Sequence, residues 1–383
     1  MLKSLNFVQG VVEKKNTLPI LSNVLIEAKN KKLIIVATDL DIIFYDEIEN
    51  INVKNEGKTT TSAAVLYDIL RKISSDSEIF FDLKNNNKIN LKTDNSDFNL
   101  LCLPTENFPS FDDKFSDNEI ILNNKEFLSL LNKVKISISN DDTRHYLNGI
   151  YFHIMSNQDK NYLTGVATDS HRLSSSSVLI ENPQSFSSLI LPRKSVFQLC
   201  SLLAETNDKV VMQTSENKIQ FKIGKIKLVS KVIDGKFPDY KQVVPTQNKK
   251  IVTVDCKEFI DSIERVTTVS VDRKEGVKLE IKQDNIRLSV NSTNAGEGNE
   301  VIKADFNADD LSISFNSKYL IDIASVIENK TIKLLLKDSG SPVLVQDSTS
   351  ILDRKNVHSP VVISILILLF RIRQQAELQN ECS

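Results

Sequence analysis

The sequence has 383 residues, a hydrophobic share of 40%, a charged share of 26% and a formal net charge of −2. That length suits two or three ordinary domains, and the apolar share is enough to give each a core. The balance excludes a disordered chain and a globally basic nucleic-acid binder, while a local basic patch stays open.

In chain order, the start MLKSLNFVQG lacks the long apolar run of a secretory leader. The stretch SLNFVQGVVEK reads as a first helix, followed by the β-branched strand KLIIVAT at 32–38. SAAVLYDILRKI at 62–73 carries Leu66, Ile69, Leu70 and Ile73 at i, i+3, i+4, i+7, which predicts a helix with one buried face. Polar turns such as LKNNNK and SENK separate further short strands, among them KVVMQT and KIKLVSKVI. Helical patterns recur in KEFLSLLNKV from Lys125, PRKSVFQLCSLL at 192–203, KEFIDSIERV from Lys257 and NSKYLIDIASVI at 316–327. The four cysteines at 102, 200, 256 and 382 form no CxxC pair and read as reduced thiols, with no zinc or other metal site. VVISILILLF at 361–370 is too short for a membrane span, which needs about 20 apolar residues. It is expected to be a buried strand or helix, or a sticky tail.

These elements are a repeat. VATD occurs at 36 and again at 166, and LSVNST places Val290 at the end of an equivalent strand. The helix windows at 62, 192 and 316 follow the same spacing, and FPSF at 108 and FPDY at 237 close the first two copies. Three copies of a unit of about 125–130 residues result, each of domain size. Runs of strands interrupted by two helices make the class α+β, with helices covering one face of antiparallel sheets. The boundaries are drawn at 1–112, 113–241 and 242–350, with an atypical tail at 351–383.

Inside the second copy, VATDSHRL puts Asp169, Ser170 and His171 side by side, the three residue types of a hydrolase triad. Consecutive residues on one backbone rarely converge on one reacting atom, and no G-x-S-x-G elbow is present. A strand ending at Asp169, with Ser170 and His171 turning the chain, is the simpler reading.

TLPILSNV, RHYLNG (144–149), VATDSHRL, LPRKS (191–195), DGKFPDY (234–240) and FNSKYL (315–320) together resemble the bacterial sliding-clamp family, the beta subunit of DNA polymerase III. The resemblance runs in order from about Leu5 to about Ser348. It implies a head-to-tail dimeric ring of three-domain chains that encircles double-stranded DNA, with helices lining the hole. Such a ring is a cytoplasmic, non-catalytic processivity factor without cofactors. Its partners are DNA polymerase III, other polymerases and the clamp loader complex, and no membrane is expected.

For DNA contact the resemblance implies Lys15, Arg71, Tyr146, Arg193 and Lys194. These come from a wider helix set of Lys14, Lys72, Lys125, Lys133, Lys135, Lys257 and Arg265. For a peptide-binding cleft it implies Leu147, Thr168, Ser170, His171, Arg172, Leu173, Pro238, Gln242 and Val243. Ser170 stands where the family commonly has glycine, and Gln242 where arginine is frequent. For the dimer interface it implies Phe98 and Leu100 against Thr268 and Val269. Both ends depart from the family. The strand that should precede the first helix is expected to be missing, and nothing after Ser348 matches the segment that floors the cleft. Either VVISI replaces that strand, or the chain is a clamp derivative with impaired partner binding or folding.

Overall fold

The computed structural model describes all residues except 14–16, 85–86, 112–113, 117, 158–159, 182–185, 271–275, 294, 348–365 and 370–383. The first copy comprises α1 (Leu2–Val8), β1 (Asn23–Lys29), β2 (Lys32–Thr38), β3 (Ile42–Ile48), β4 (Gly57–Ser62), α2 (Ala63–Leu70), β5 (Phe80–Leu83), β6 (Lys88–Lys92) and β7 (Asp97–Leu101). The second comprises β8 (Glu119–Leu122), α3 (Asn124–Lys135), β9 (Gly149–Asn157), β10 (Lys160–Thr168), β11 (Arg172–Ile180), β12 (Leu189–Pro192), α4 (Arg193–Ala204), β13 (Val210–Thr214), β14 (Lys218–Ile223) and β15 (Ile226–Lys231). The third comprises β16 (Lys250–Asp255), α5 (Cys256–Val266), β17 (Gly276–Lys282), β18 (Asn285–Ser292), β19 (Gly296–Lys303), the two-residue β20 (Asp305–Phe306), β21 (Leu311–Asn316), α6 (Ser317–Ala324), β22 (Thr331–Leu336), β23 (Val343–Asp347) and β24 (Leu366–Leu369).

Copies two and three therefore share one order: strand, helix, strands, helix, strands. The described elements of the first copy open with α1. The leading strand β8 pairs with β13, and β16 pairs with β22. The corresponding strand of copy one, β5, has only β6 beside it among the described residues, so that sheet has three strands.

The amphipathic windows become helices because their apolar residues meet a sheet. Val196, Leu199, Cys200 and Leu203 on α4 are buried, as are Leu320, Ile323 and Ala324 on α6 with Ile327 just beyond. Each fully buried aliphatic side chain of this size contributes about 1.5–3 kcal/mol. On α2, Leu66 and Leu70 are buried but Ile69 and Ile73 are only half-buried. Strands of the third copy alternate inward and outward, β18 most regularly, so one face packs on Phe259, Ile263 and Leu320.

The chain packs as two compact units, Met1–Leu128 with Glu181–Phe186 and Leu191–Asp234, and Ser129–Ile180 with Ser187–Ile190 and Gly235–Ser383. This division cuts through the second copy because the sheets, not the repeats, set the packing. One sheet of the first unit runs β4-β1-β2-β3-β15-β14-β13-β8. In the second unit the run is β9-β10-β11-β24-β23-β22-β16-β20.

The tail strand β24 answers the question raised by its sequence. It pairs antiparallel with β11 (Leu173↔Leu368, Ser174↔Ile367) and with β23 (Leu344↔Leu368, Val345↔Ile367). In the first unit β15 stands between β3 and β14 in the same way (Leu228↔Phe44, Phe221↔Leu228). The atypical ending thus fills the slot that the repeat requires. The residues described there are LILL, and VVISI at 361–365 lies outside the described residues.

Candidate functional site

The VATD turn is built twice from the same bonds. In the first copy the Thr38 hydroxyl donates to the Ile42 carbonyl at 2.8 Å and accepts from the Leu40 amide at 2.9 Å. Asp39 accepts from the amides of Asp41 and Ile42. In the second copy the Thr168 hydroxyl donates to the Arg172 carbonyl at 2.8 Å and accepts from the Ser170 amide at 3.2 Å. Asp169 accepts from the amides of His171 and Arg172, both at 2.9 Å. The central residue is left-handed both times, Leu40 at φ 80° and Ser170 at φ 74°. Glycine would adopt this conformation without steric cost, which is a physical reason for the glycine that the resemblance implies at this position. The carboxylate of Asp169 is therefore committed to the turn and to Arg172, and does not orient His171.

Arg172 is nearly buried. Its guanidinium donates to Asp169 at 3.2 Å and to Asp322 of α6 at 2.7 Å, and lies 4.4 Å over the Tyr319 ring. His171, on the same turn, faces that ring at 6.3 Å. Burial first, and then Asp169, pushes the Tyr319 hydroxyl above its ordinary pKa. Asp322 carried no sequence signal of its own, because it lies 150 residues from Arg172, and Tyr319 was seen only as part of the motif FNSKYL.

The other residues expected at the cleft differ in exposure. Leu147 and Leu173 are buried, Thr168 is half-buried, and Ser170, His171, Pro238, Gln242 and Val243 are exposed. Arg144 links the first of these segments to the turn, donating to Ser170 Oγ at 2.5 Å and to Asp141 at 2.8 Å. The segment carrying Pro238 is held against β9 by aromatic contacts. Phe237 stacks on Tyr151, centroids 4.9 Å apart and nearly parallel, and the Tyr240 hydroxyl meets His153 Nε2 at 2.9 Å. Burial pushes Tyr240 up to about 12 and pushes His153 below its ordinary value. Gln242 donates its side-chain amide to Asp239 at 2.9 Å. Gly235 packs closely here, since a Cβ there would lie 3.0 Å from that of Tyr146. Buried leucines beside exposed polar groups can seat apolar anchors and fix an extended backbone.

The basic residues divide into several environments. Arg71 caps α2, exposed, with Asp68 at 2.9 Å. Arg193 opens α4 with its guanidinium 5.3 Å from the Phe197 ring. Tyr146 is half-buried, edge-on to His145 at 5.9 Å. Lys194 differs from expectation, because its ammonium is taken up by Asp39 at 2.5 Å and the Val11 carbonyl at 2.9 Å. Lys133 differs more, being buried with Glu328 at 3.2 Å. Arg265 is engaged by Glu300, whose carboxylate raises the guanidinium pKa. Lys14 and Lys15 lie outside the described residues.

Two sheet edges complete the picture. Phe98 and Leu100 are half-buried on β7, the last strand of its sheet, where Leu101 is 73% exposed. Phe98 also lines a pocket of about 490 Å³ with Val65, Ile69, Lys72 and Ile73. This explains why Ile69 and Ile73 are less buried than their counterparts. Thr268 and Val269, expected at the dimer interface, lie in a 3-10 turn after α5, Thr267–Val269, where the Thr267 and Thr268 hydroxyls return to helix carbonyls. The sheet β19-β18-β17-β21 has β19 at one edge and β21 at the other, and Val301 on β19 is 61% exposed.

Family models of the DNA polymerase III beta subunit match in order: the N-terminal domain over residues 1–112, the central domain over 121–239 and the C-terminal domain over 241–361. The last match continues past Ser348, where the motif resemblance stops. A Beta sliding clamp of Caulobacter vibrioides is 35% identical over 350 residues, 91% of this chain and 94% of that protein. One from Rickettsia felis is 32% identical over 359 residues, 90% of this chain and 93% of that protein. Among solved structures, a sliding clamp (DNA polymerase III subunit beta) from Bartonella birtlesii bound to griselimycin has a TM-score of 0.88 at 36% identity, covering 97% of both chains. A Caulobacter crescentus beta sliding clamp reaches 0.89 at 34% identity, covering 97% of this chain and 96% of that one. With all three domain models matched along its length, the chain belongs to the DNA polymerase III beta subunit family, the bacterial DNA sliding clamps.

Proposed function

We propose that the chain works as a head-to-tail dimeric ring around duplex DNA, without catalysis of its own. It tethers DNA polymerase III and other partners, the clamp loader among them, through the cleft at VATDSHRL. Beyond family membership, the observation that carries the ring is the pair of sheet edges. β7 and β19 each end a sheet among the described residues, and each presents a large exposed apolar side chain, Leu101 and Val301. Open apolar edges invite pairing, and two different edges on one chain give a heterologous contact that closes into a ring if the rotation permits. Phe98 and Leu100 from one chain, with Thr268 and Val269 from the next, flank that joint. The pocket beside Phe98 offers a seat for an apolar partner side chain.

Arg71, Tyr146, Arg193 and Lys15 are the proposed DNA contacts, with Lys194 in a secondary role because of its bond to Asp39. Mobile positive charge toward phosphates gives attraction that is independent of sequence and sensitive to salt, as sliding requires. The cleft residues are Leu147, Thr168, Ser170, His171, Arg172, Leu173, Pro238, Gln242 and Val243. Arg172 acts by holding the turn, not by open display. The domains divide at 1–112, 113–241 and 242–350, and the protein is cytoplasmic. Size-exclusion chromatography with light scattering tests the ring. A dimer is expected for the unmodified chain, and a monomer for the pair Phe98→Asp and Leu100→Asp. A monomer from the unmodified chain at micromolar concentration contradicts the reading.

A further inference from the structure

We propose that Phe197 is a positioning residue for the DNA contact at Arg193: its ring holds the guanidinium on the exposed face of α4 without cancelling the charge that attracts phosphates. The inference rests on the assignment of Arg193 to DNA above. It gives a task to a large aromatic ring that α4 leaves 44% exposed.

The helix buries Val196, Leu199, Cys200 and Leu203 and turns Phe197 and Ser201 outward. A half-exposed ring contributes less to a core than a buried one would. Arg193 stands four residues before Phe197, a spacing that puts both on one helix face. Its guanidinium lies 5.3 Å from the centre of the ring. Arg193 and Lys194 both sit against the helix dipole, since Pro192 supplies no side-chain cap and the first turn holds no acidic residue. Lys194 is relieved by Asp39 at 2.5 Å. Arg193 has no carboxylate partner among the described residues, and the Phe197 ring is what holds it.

The other basic residues show the contrast. Asp68 lies 2.9 Å from Arg71, Glu328 lies 3.2 Å from Lys133, and Glu300 bonds Arg265 at 2.5 Å. A carboxylate in contact orients a cation but also offsets its field at a distance. A ring face attracts the cation through its quadrupole and carries no net charge, so the full positive charge persists. The same pairing recurs on α2. There the Arg71 guanidinium lies 5.9 Å over the Tyr67 ring, and the Tyr67 hydroxyl donates to Asn6 Oδ1 at 3.0 Å. Asp68 shares that guanidinium, so Arg193 is the clearer instance. A side chain restrained before binding loses less freedom on meeting a phosphate.

The test is a fluorescence anisotropy titration of the full chain with a short labelled duplex over a series of salt concentrations. Phe197→Leu keeps an apolar side chain and removes the ring. It should weaken duplex binding about two- to fivefold, the value of an exposed cation–π contact. Its salt slope should stay that of the unmodified chain, because no charge is lost. Phe197→Tyr keeps the ring and should bind as the unmodified chain does. Arg193→Ala should lower the salt slope by about 0.9, the equivalent of one phosphate contact. In the Arg193→Ala background, Phe197→Leu should have no further effect, a coupling that a merely structural role of the ring would not produce. Thermal unfolding of each variant checks that the fold persists. Affinity of Phe197→Leu equal to that of the unmodified chain overturns the role of the ring. Equal weakening by Phe197→Leu with and without Arg193 overturns positioning. If Arg193→Ala leaves affinity and salt slope unchanged, the DNA contact at Arg193 itself fails, and the proposal with it.

Discussion

At the scale of single residues, the polar groups of VATDSHRL divide between architecture and recognition. Asp169 accepts two backbone amides and the Nε of Arg172, a nearly buried cation. Asp169→Ala should therefore lower stability by about 1–3 kcal/mol, the cost of stranding buried polar partners. His171→Ala should stay within about 0.5 kcal/mol, as for an exposed side chain. Calorimetric melting of both variants checks this, and equal losses would contradict it. His153 gives a pH dependence. Burial, and then the Lys241 charge, depress its folded pKa below the ordinary 6.5, while its hydrogen bond to the Ile154 carbonyl acts the other way. The unfolded chain then takes up the proton first as pH falls. This contribution to stability is full above about pH 6.5 and is lost as pH drops through the depressed folded value. His153→Gln should flatten the fall in melting temperature between pH 7 and 5. An unchanged pH profile would mean that other groups set the acid limb.

At the scale of elements, the tail strand makes the sharpest claim. Ile367 lies opposite Ser174 on one side and Val345 on the other. Ile367→Pro removes a backbone donor from a strand paired on both edges, whereas Ile367→Val keeps it. The proline variant should lose at least about 1 kcal/mol, one net hydrogen bond, and weaken peptide binding on the order of tenfold. Peptide affinity equal to that of the valine variant would mean that the cleft does not depend on this strand. Much of this level was legible beforehand. Helical periodicity located α2, α4 and α6, and the VATD repeat located two equivalent turns. Other features depend on distant pairing and were not legible. LILL reads only as an apolar run until β11 and β23 are seen to need a strand between them. Lys133 looks like one more surface lysine of α3 until Glu328, far along the chain, covers it. Thr268 and Val269 were named only for the dimer interface, and the hydroxyl bonds of Thr267 and Thr268 to the last turn of α5 that fold this segment are not visible in the sequence.

At the scale of the whole molecule, a ring predicts behaviour that no single interface does. Attraction to phosphates through Arg71 and Arg193 should fall steeply with salt, since each neutralised phosphate releases a counterion. Base-sequence preference should stay below about tenfold, comparable to the cost of one mismatched pair in a sequence reader. Arg193→Glu is the cleaner charge reversal. Lys194→Glu would also set a carboxylate against Asp39, whose side chain is 6% exposed, and confuse DNA binding with stability. The most direct measurement is topological. The protein is loaded by a bacterial clamp loader onto a nicked circular plasmid and isolated by gel filtration, and the plasmid is then cut once. A ring that encircles the duplex without gripping it stays with the circle and is lost from the linear form by sliding off the ends. Equal retention on both forms, or equal loss from both, would contradict encirclement.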